Sequence, residues 1–324
     1  AIDAGTLQTG DPIAFITYSM VIIMGFLMIG MLSIMLPRAD VAARRIEEVL
    51  ECEPSIRDPE PAVSKDAELS ACDAPGAEIA FRDVSFKYSD SAENVLDHVD
   101  FTCQPGKTTA IIGSTGSGKS TIAKLALRFY DVSQGSVTID GIDVRDVSQH
   151  ALREQLGYVP QKAFLFSGTI SSNIAYGAEG ADDERIREAA DIAQASEFID
   201  EKPEGFGSPV AQGGTNVSGG QRQRLAIARA LATDARVFLF DDSFSALDYK
   251  TDAALRHELE ARLGGKTVII VAQRISTVLS ADQIIVLDEG RVVGKGTHAE
   301  LMEQCEEYRE IAMSQLSEEE LEGG

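Results

Sequence analysis

Basic residues are in short supply in this chain of 324 residues: 29 Lys and Arg stand against 52 Asp and Glu, a formal net charge of −23. That balance argues against a nucleic-acid partner, because a binding face needs clustered Lys and Arg. The surplus favours solubility and says little about the fold. Cysteine is scarce as well. The four present (Cys52, Cys72, Cys103 and Cys305) form no C-x-x-C pair and have no histidine cluster nearby. They read as reduced thiols in a cytosolic setting, not as a disulfide framework or a zinc site. No internal repeat is visible. The first residue is not Met, and the first organised element reads as the end of something larger.

Charge is missing altogether from Ile13 to Leu36, 24 residues in a row. At 1.5 Å rise per residue such a run crosses a hydrocarbon core of ~30 Å with some tilt. A signal peptide is excluded because the run is too long and no Lys or Arg precedes it, only Asp3 and Asp11. A buried soluble helix is disfavoured because the run is apolar on every side and contains Gly25 and Gly30. Arg38, Arg44 and Arg45 follow, which places the C-terminal side in the cytoplasm of a cell membrane. Ala39 to Leu50 continues as a charged amphipathic helix, so residues 1–50 form one span and its extension.

Residues 51–77 carry Pro54, Pro59, Pro61 and Pro75 among scattered acids, the composition of a linker. From Glu78 strands resume, at Ile79–Phe86, Val99–Thr102, Thr108–Ile112, Ser136–Ile139, Gly157–Val159, Val237–Phe240, Thr267–Val271 and Gln283–Leu287. Helical spacing appears at Glu184–Ile199, Gln221–Ala232 and Thr251–Leu263. This alternation predicts an α/β domain with a parallel core sheet. An acidic tail, 317–324, closes the chain.

Within that pattern, Gly113-Ser114-Thr115-Gly116-Ser117-Gly118-Lys119-Ser120 reads G-x-x-x-x-G-K-S, a phosphate-binding P-loop, and Thr121 continues it into a helix. Glycines let successive backbone N–H groups curl around phosphate oxygens, and the helix adds its positive dipole end. Lys119 can reach the β- and γ-phosphates, and the Ser120 hydroxyl can ligate Mg²⁺. Val237-Phe238-Leu239-Phe240-Asp241 is an apolar strand ending in a carboxylate, the second expected Mg²⁺ ligand. Ser218-Gly219-Gly220-Gln221 opens a helix and forms a second phosphate-binding element. One triphosphate does not need two, so this one is expected to face the nucleotide of another subunit.

With S-G-G-Q between a P-loop and a strand-ending aspartate, residues 78–316 resemble the nucleotide-binding domain of ATP-binding cassette (ABC) transporters. Residues 1–50 look like the last membrane helix of an exporter half-transporter. The resemblance implies a P-loop NTPase of ABC type, with a parallel core sheet, an antiparallel β subdomain and a helical subdomain. It implies an ATP hydrolase coupled to export, with ATP and Mg²⁺ as cofactors. Position by position, it implies that Tyr88 stacks on adenine, that Gln161 ligates Mg²⁺ and relays its state to the membrane domain, and that Ser245-Ala246-Leu247-Asp248 crosses a head-to-tail dimer interface. Leu165-Phe166-Ser167-Gly168-Thr169-Ile170 is similar to exporters rather than importers.

Three positions depart from the family pattern. Asp242 stands where the family has a glutamate that polarises water, and Gln273 where it has a histidine on the γ-phosphate. Gln212 replaces a glutamate before the S-G-G-Q. The chain's four histidines (His98, His150, His257 and His298) lie elsewhere. Asp242 and Gln273 both serve the chain's own P-loop, whereas Ser218 to Gln221 is intact. That asymmetry resembles the degenerate-site subunit of a heterodimeric exporter, paired with a second half-transporter. A homodimeric ATPase using Asp242 as base, or an ABC ATPase that gates without transporting, is the alternative. The exported substrate is not readable.

Overall fold

The computed structural model describes residues 10–60, 64–88, 93–178 and 180–315. The chain divides into two compact units between Arg57 and Asp58. The expected tail, 317–324, lies outside the described residues.

The first unit is one helix, α1 (Gly10–Leu50), in which the expected span and its amphipathic extension are continuous through Pro37. A proline inside a helix removes one backbone hydrogen bond, yet the helix persists. The hydroxyls of Thr17, Ser19 and Ser33 donate to the carbonyls of Ile13, Phe15 and Ile29 four residues back, so their polar groups are satisfied within the helix, as hydrocarbon requires. With a mean hydropathy of 2.4 over 18 residues, α1 is long and apolar enough to cross a membrane.

The second unit already includes part of the stretch expected to be a linker. From Asp58 onward the chain belongs to it, α2 (Asp66–Ser70) buries Leu69, and α2 leads to β1 (Ile79–Phe86), β2 (Leu96–Cys103) and β3 (Thr108–Gly113). After the P-loop come α3 (Lys119–Ala126), β4 (Gln134–Ile139), β5 (Ile142–Asp143), α4 (Gln149–Glu154) and β6 (Leu156–Val159). Then follow β7 (Gly168–Thr169), α5 (Ile170–Ile174), α6 (Asp183–Ile192), α7 (Ser196–Asp200), β8 (Pro209–Val210) and α8 (Gly219–Leu231). The chain continues through β9 (Val237–Asp241), α9 (Tyr249–Arg262), β10 (Thr267–Val271), β11 (Gln283–Asp288), β12 (Arg291–Gly296), α10 (His298–Gln304) and α11 (Glu306–Gln315).

Six strands form the central sheet in the order β12-β11-β3-β10-β9-β6. All its neighbours are parallel except the β11–β12 pair. A second sheet, β2-β1-β4-β5, is antiparallel. The central strands are uninterrupted apolar runs because both faces are covered, and their alternation divides the core in two. Ala110, Ile112, Phe238, Phe240, Val268 and Ile270 pack with helical residues such as Ile186, Leu225 and Ile227. Ile111, Leu239, Ile269 and Val271 face the other way, onto Leu125 of α3 and onto Phe81 and Phe101 of the antiparallel sheet. The rings of Phe81 and Phe101 stack at 4.7 Å.

The helix expected over Glu184–Ile199 is broken into α6 and α7. Gln194 takes a left-handed conformation, φ 55°, and the chain restarts its helix two residues later at Ser196. The other long helices match their expected spans to within two residues at each end.

Arg236, 7% exposed, ties the segment before β1 to the sheet. Its guanidinium donates to the carbonyls of Ala74 and Gly76 at 2.8 and 3.0 Å and pairs with Asp140 at 2.8 Å. Removing one partner of a buried ion pair strands the other charge. Arg236→Ala should therefore destabilise the second unit by ~3–5 kcal/mol, read as a lowered urea midpoint with an unchanged slope.

Candidate functional site

The P-loop leaves β3 at the middle of the sheet and enters α3. Gly113 is fixed by close approach: at φ 156°, a Cβ there would lie 2.0 Å from the Leu287 carbonyl oxygen of β11. Gly118, φ 97°, would meet Leu96 at 2.6 Å. No other residue fits either position without moving backbone or core. Ser114, Thr115 and Gly116 are exposed, while Ser117 is buried with a hydroxyl that has no partner among the described residues.

Lys119 is buried and its ammonium donates to the carbonyls of Gly113 and Ser114 at 2.8 and 2.6 Å. Burial lowers its pKa, and the charges of Asp242 and Asp241 oppose that shift. The Ser120 hydroxyl donates to Asp241 Oδ1 at 2.9 Å. Asp241 is 3% exposed, and burial raises its pKa, opposed by the Ser120 hydrogen bond and reinforced by the neighbouring Asp242. The Tyr158 phenol is pushed up to about 12, by burial first and then by the Asp241 charge.

Asp242 follows, with φ 48° and its backbone N–H on the Val271 carbonyl at 2.8 Å. Gln161 Nε2 and Gln273 Nε2 both donate to its Oδ2, each at 3.0 Å. Two residues far apart in sequence, on the loops after β6 and β10, thus meet on one carboxylate oxygen. Gln273 is pinned in turn by Gln315, which donates to its carbonyl at 3.0 Å and accepts from the Ile275 N–H at 2.9 Å. Gln315 carries no local sequence signal, since the contact spans 42 residues.

Tyr88 lies two residues past β1, and its hydroxyl pairs with Thr121 at 3.0 Å. Its ring meets Phe86 and Tyr130 edge-on at 4.9 and 5.1 Å. The sequence does not single out Tyr130; its place beside Tyr88 emerges only from the fold.

The remaining sequence-predicted residues form a separate group. Ser218 caps α8: its hydroxyl accepts from the Gln221 N–H at 3.2 Å, and Gln221 Oε1 accepts from the Ser218 N–H at 3.1 Å. This reciprocal box leaves Gly219 and Gly220 at a helix start whose N–H groups lack intrahelical acceptors. A Cβ on Gly220 would sit 3.5 Å from the Ala246 carbonyl, so the turn lies beside the 245–248 loop. Asp248 caps α9, accepting from the Thr251 N–H and hydroxyl at 3.0 and 2.8 Å. Among the described residues no hydrogen bond or ion pair joins this group to the P-loop.

Among the described residues no group of three or more His, Cys, Asp or Glu side chains is placed to hold a metal ion. Mg²⁺ held by a nucleotide needs fewer, since phosphates and water complete its octahedron. Ser120 and Asp241, already 2.9 Å apart, and the Gln161 amide are oxygen donors of the kind that hard cation takes, so the residues fit it.

The raised Asp241 pKa has a consequence for stability. A carboxyl favoured in its neutral form by folding stabilises the fold below its unfolded pKa, and that contribution is lost as pH rises through the folded value. At neutral pH the ionised group is therefore a cost. Asp241→Asn should raise the thermal midpoint measured without nucleotide at pH 7 and abolish any gain in ATP affinity from Mg²⁺. The stability gain should vanish as the pH falls toward 4, where the wild-type carboxyl also becomes neutral.

The ABC transporter family model matches residues 96–245. An uncharacterized ABC transporter ATP-binding protein of Mycobacterium tuberculosis is 44% identical over 319 residues, 97% of this chain and 53% of that protein. An ATP-dependent lipid A-core flippase of Vibrio cholerae is 45% identical over 242 residues, 74% of this chain and 42% of that protein. A solved bacterial Atm1-family ABC exporter with ATP bound superposes with a TM-score of 0.82 at 34% identity, covering 96% of this chain and 54% of that one. The chain thus spans about half the length of the curated relatives it matches. With the P-loop, the strand-ending Asp241 and the Ser218–Gln221 helix start placed on this sheet, the chain carries an ABC transporter ATP-binding domain of the exporter type behind one apolar helix.

Proposed function

We propose that this chain is the ATP-binding subunit of an ABC exporter, anchored in the cell membrane by α1, with its nucleotide-binding domain on the cytoplasmic side. It binds Mg-ATP at its own P-loop to drive closure with a second half-transporter and export of a substrate. Its own site hydrolyses poorly, and its Ser218–Gln221 turn completes the partner's site. The degenerate-site reading rests above all on the bracket at Asp242.

Backbone N–H groups from Gly113 to Thr121 cradle the phosphates, and Lys119 adds a positive charge. Tyr88 presents its ring to the adenine. Ser120, Asp241 and Gln161 hold Mg²⁺, which when bound neutralises developing phosphate charge. Hydrolysis further requires a base aligned on water. Asp242 is one methylene shorter than glutamate, and both lone pairs of its Oδ2 are taken by the amides of Gln161 and Gln273. Misplacing a reacting group by about 1 Å costs on the order of 100-fold. Gln273 can donate to phosphate but carries no charge and shuttles no proton. The intact box at Ser218–Gln221, with no bond to the chain's own P-loop, supports a role toward a nucleotide held elsewhere.

The test is steady-state ATPase of the purified chain. Expected are tight Mg-ATP binding with turnover near background, and a rise of about 100-fold in the Asp242→Glu, Gln273→His double variant once dimers form. Brisk turnover by the unaltered chain would sink the degenerate-site reading in favour of a homodimeric ATPase that uses Asp242.

A further inference from the structure

The strand β10 ends at Val271, and one more rung, the Ala272 N–H on the Ile111 carbonyl, carries the chain to the edge of the sheet. Beyond it Gln273 and Arg274 are exposed, and Arg274 stays extended at φ −104° and ψ 131° before a tight turn over Ile275–Thr277. In extended backbone the carbonyl before a residue and the N–H after it point to the same side, where a parallel neighbour bonds both. Here a side chain takes the neighbour's place. Gln315 Nε2 donates to the Gln273 carbonyl at 3.0 Å, and Gln315 Oε1 accepts from the Ile275 N–H at 2.9 Å. One primary amide thus copies a rung of parallel ladder around Arg274. Its footing is firm, because Tyr308 and Ala312, both 0% exposed, share a face of α11 with Gln315, and the Tyr308 hydroxyl pairs with His298 Nδ1 at 2.8 Å. Arg256 of α9 holds the same turn further on, donating to the Ser276 carbonyl at 2.7 Å while paired with Asp252 at 2.9 Å. Of the two, Gln315 is the one that grips residue 273 itself.

We propose that Gln315 is a positioning residue for the terminal phosphate of the nucleotide: it fixes the 273–275 backbone so that the Gln273 amide is aimed at that phosphate from beside Asp242. This rests on the reading above, in which Gln273 donates to phosphate. The Gln273 amide nitrogen carries two hydrogens. One goes to Asp242 Oδ2, and the other can serve the phosphate without breaking that bond. An exposed residue on untethered backbone would have to be ordered at the moment of binding, and that ordering costs affinity. Gln315 touches neither nucleotide nor Mg²⁺; it acts through Gln273.

Gln315→Ala removes both bonds, and Gln315→Glu keeps the size and the acceptor while losing the donor. The full chain, purified in detergent with Mg²⁺ present, would be titrated calorimetrically with ADP and with the β,γ-imido analogue of ATP. Both variants should lose about fivefold in affinity for the ATP analogue, one hydrogen bond's worth, with ADP affinity unchanged. Gln273→Ala should show the same selective loss, and Gln315→Ala added to it should cost nothing further. Unaltered analogue affinity in either Gln315 variant, beside a loss in Gln273→Ala, overturns the proposal. So does an equal loss for ADP and the analogue, which marks a merely structural role. A Gln273→Ala chain that binds the analogue as tightly as the unaltered one overturns the phosphate reading of Gln273 itself, and this inference with it.

Discussion

Everything at the site depends on β3 lying between β10 and β11 in a parallel sheet. Val271 pairs with Ile111 on one side and with Asp241 on the other, so three strands end at one level. The Ala272 N–H then bonds the Ile111 carbonyl and the Asp242 N–H bonds the Val271 carbonyl, carrying the alignment one residue past the strands. Ligands of open parallel sheets bind at such carboxyl ends, where neighbouring connections diverge. Gly113 is the point of least tolerance, since the backbone of β11 occupies the space where any side chain would begin. The P-loop curls because the sheet leaves it nowhere else to go.

Function is set against stability at the same few residues. A buried lysine and a buried aspartate both carry desolvation penalties, and each offsets the other only in part. A domain selected for stability alone would place apolar groups here. The penalties are tolerable because the sheet beneath is packed on both faces by two apolar clusters.

Much of this architecture was legible in the sequence. Uninterrupted runs such as Thr267–Val271 can only be strands with both faces covered, and the P-loop announces itself by spacing. Other elements carry weaker signals. β12, Arg291–Gly296, has no fully buried residue and two glycines, so nothing in it reads as a strand; it is an edge held by pairing with β11. α10 does have a readable start, Thr297 with Glu300 as a reciprocal box, which sequence reasoning passed over. The break at Gln194 has no such cue, because a left-handed glutamine looks like any helical one. At the site, residue types were legible and their meetings were not. Sequence placed Asp242, Gln161 and Gln273 near one nucleotide, but only the fold brings the two amides onto the same oxygen.

That meeting constrains Asp242. A glutamate at this position would extend beyond the strand ends toward water. The shorter aspartate stops level with them, where the loops after β6 and β10 can both reach it. The two loops meet on a single oxygen: displacing Gln161 frees a lone pair of Asp242, while Gln273 keeps its own bond to the same atom. Gln315 adds a third hold, from the C-terminal end of α11. A side chain with two amide donors on one oxygen, flanked by residues held from three separate elements, is built to stay where it is. Such rigidity is what the proposed role, holding a nucleotide without turning it over, would require.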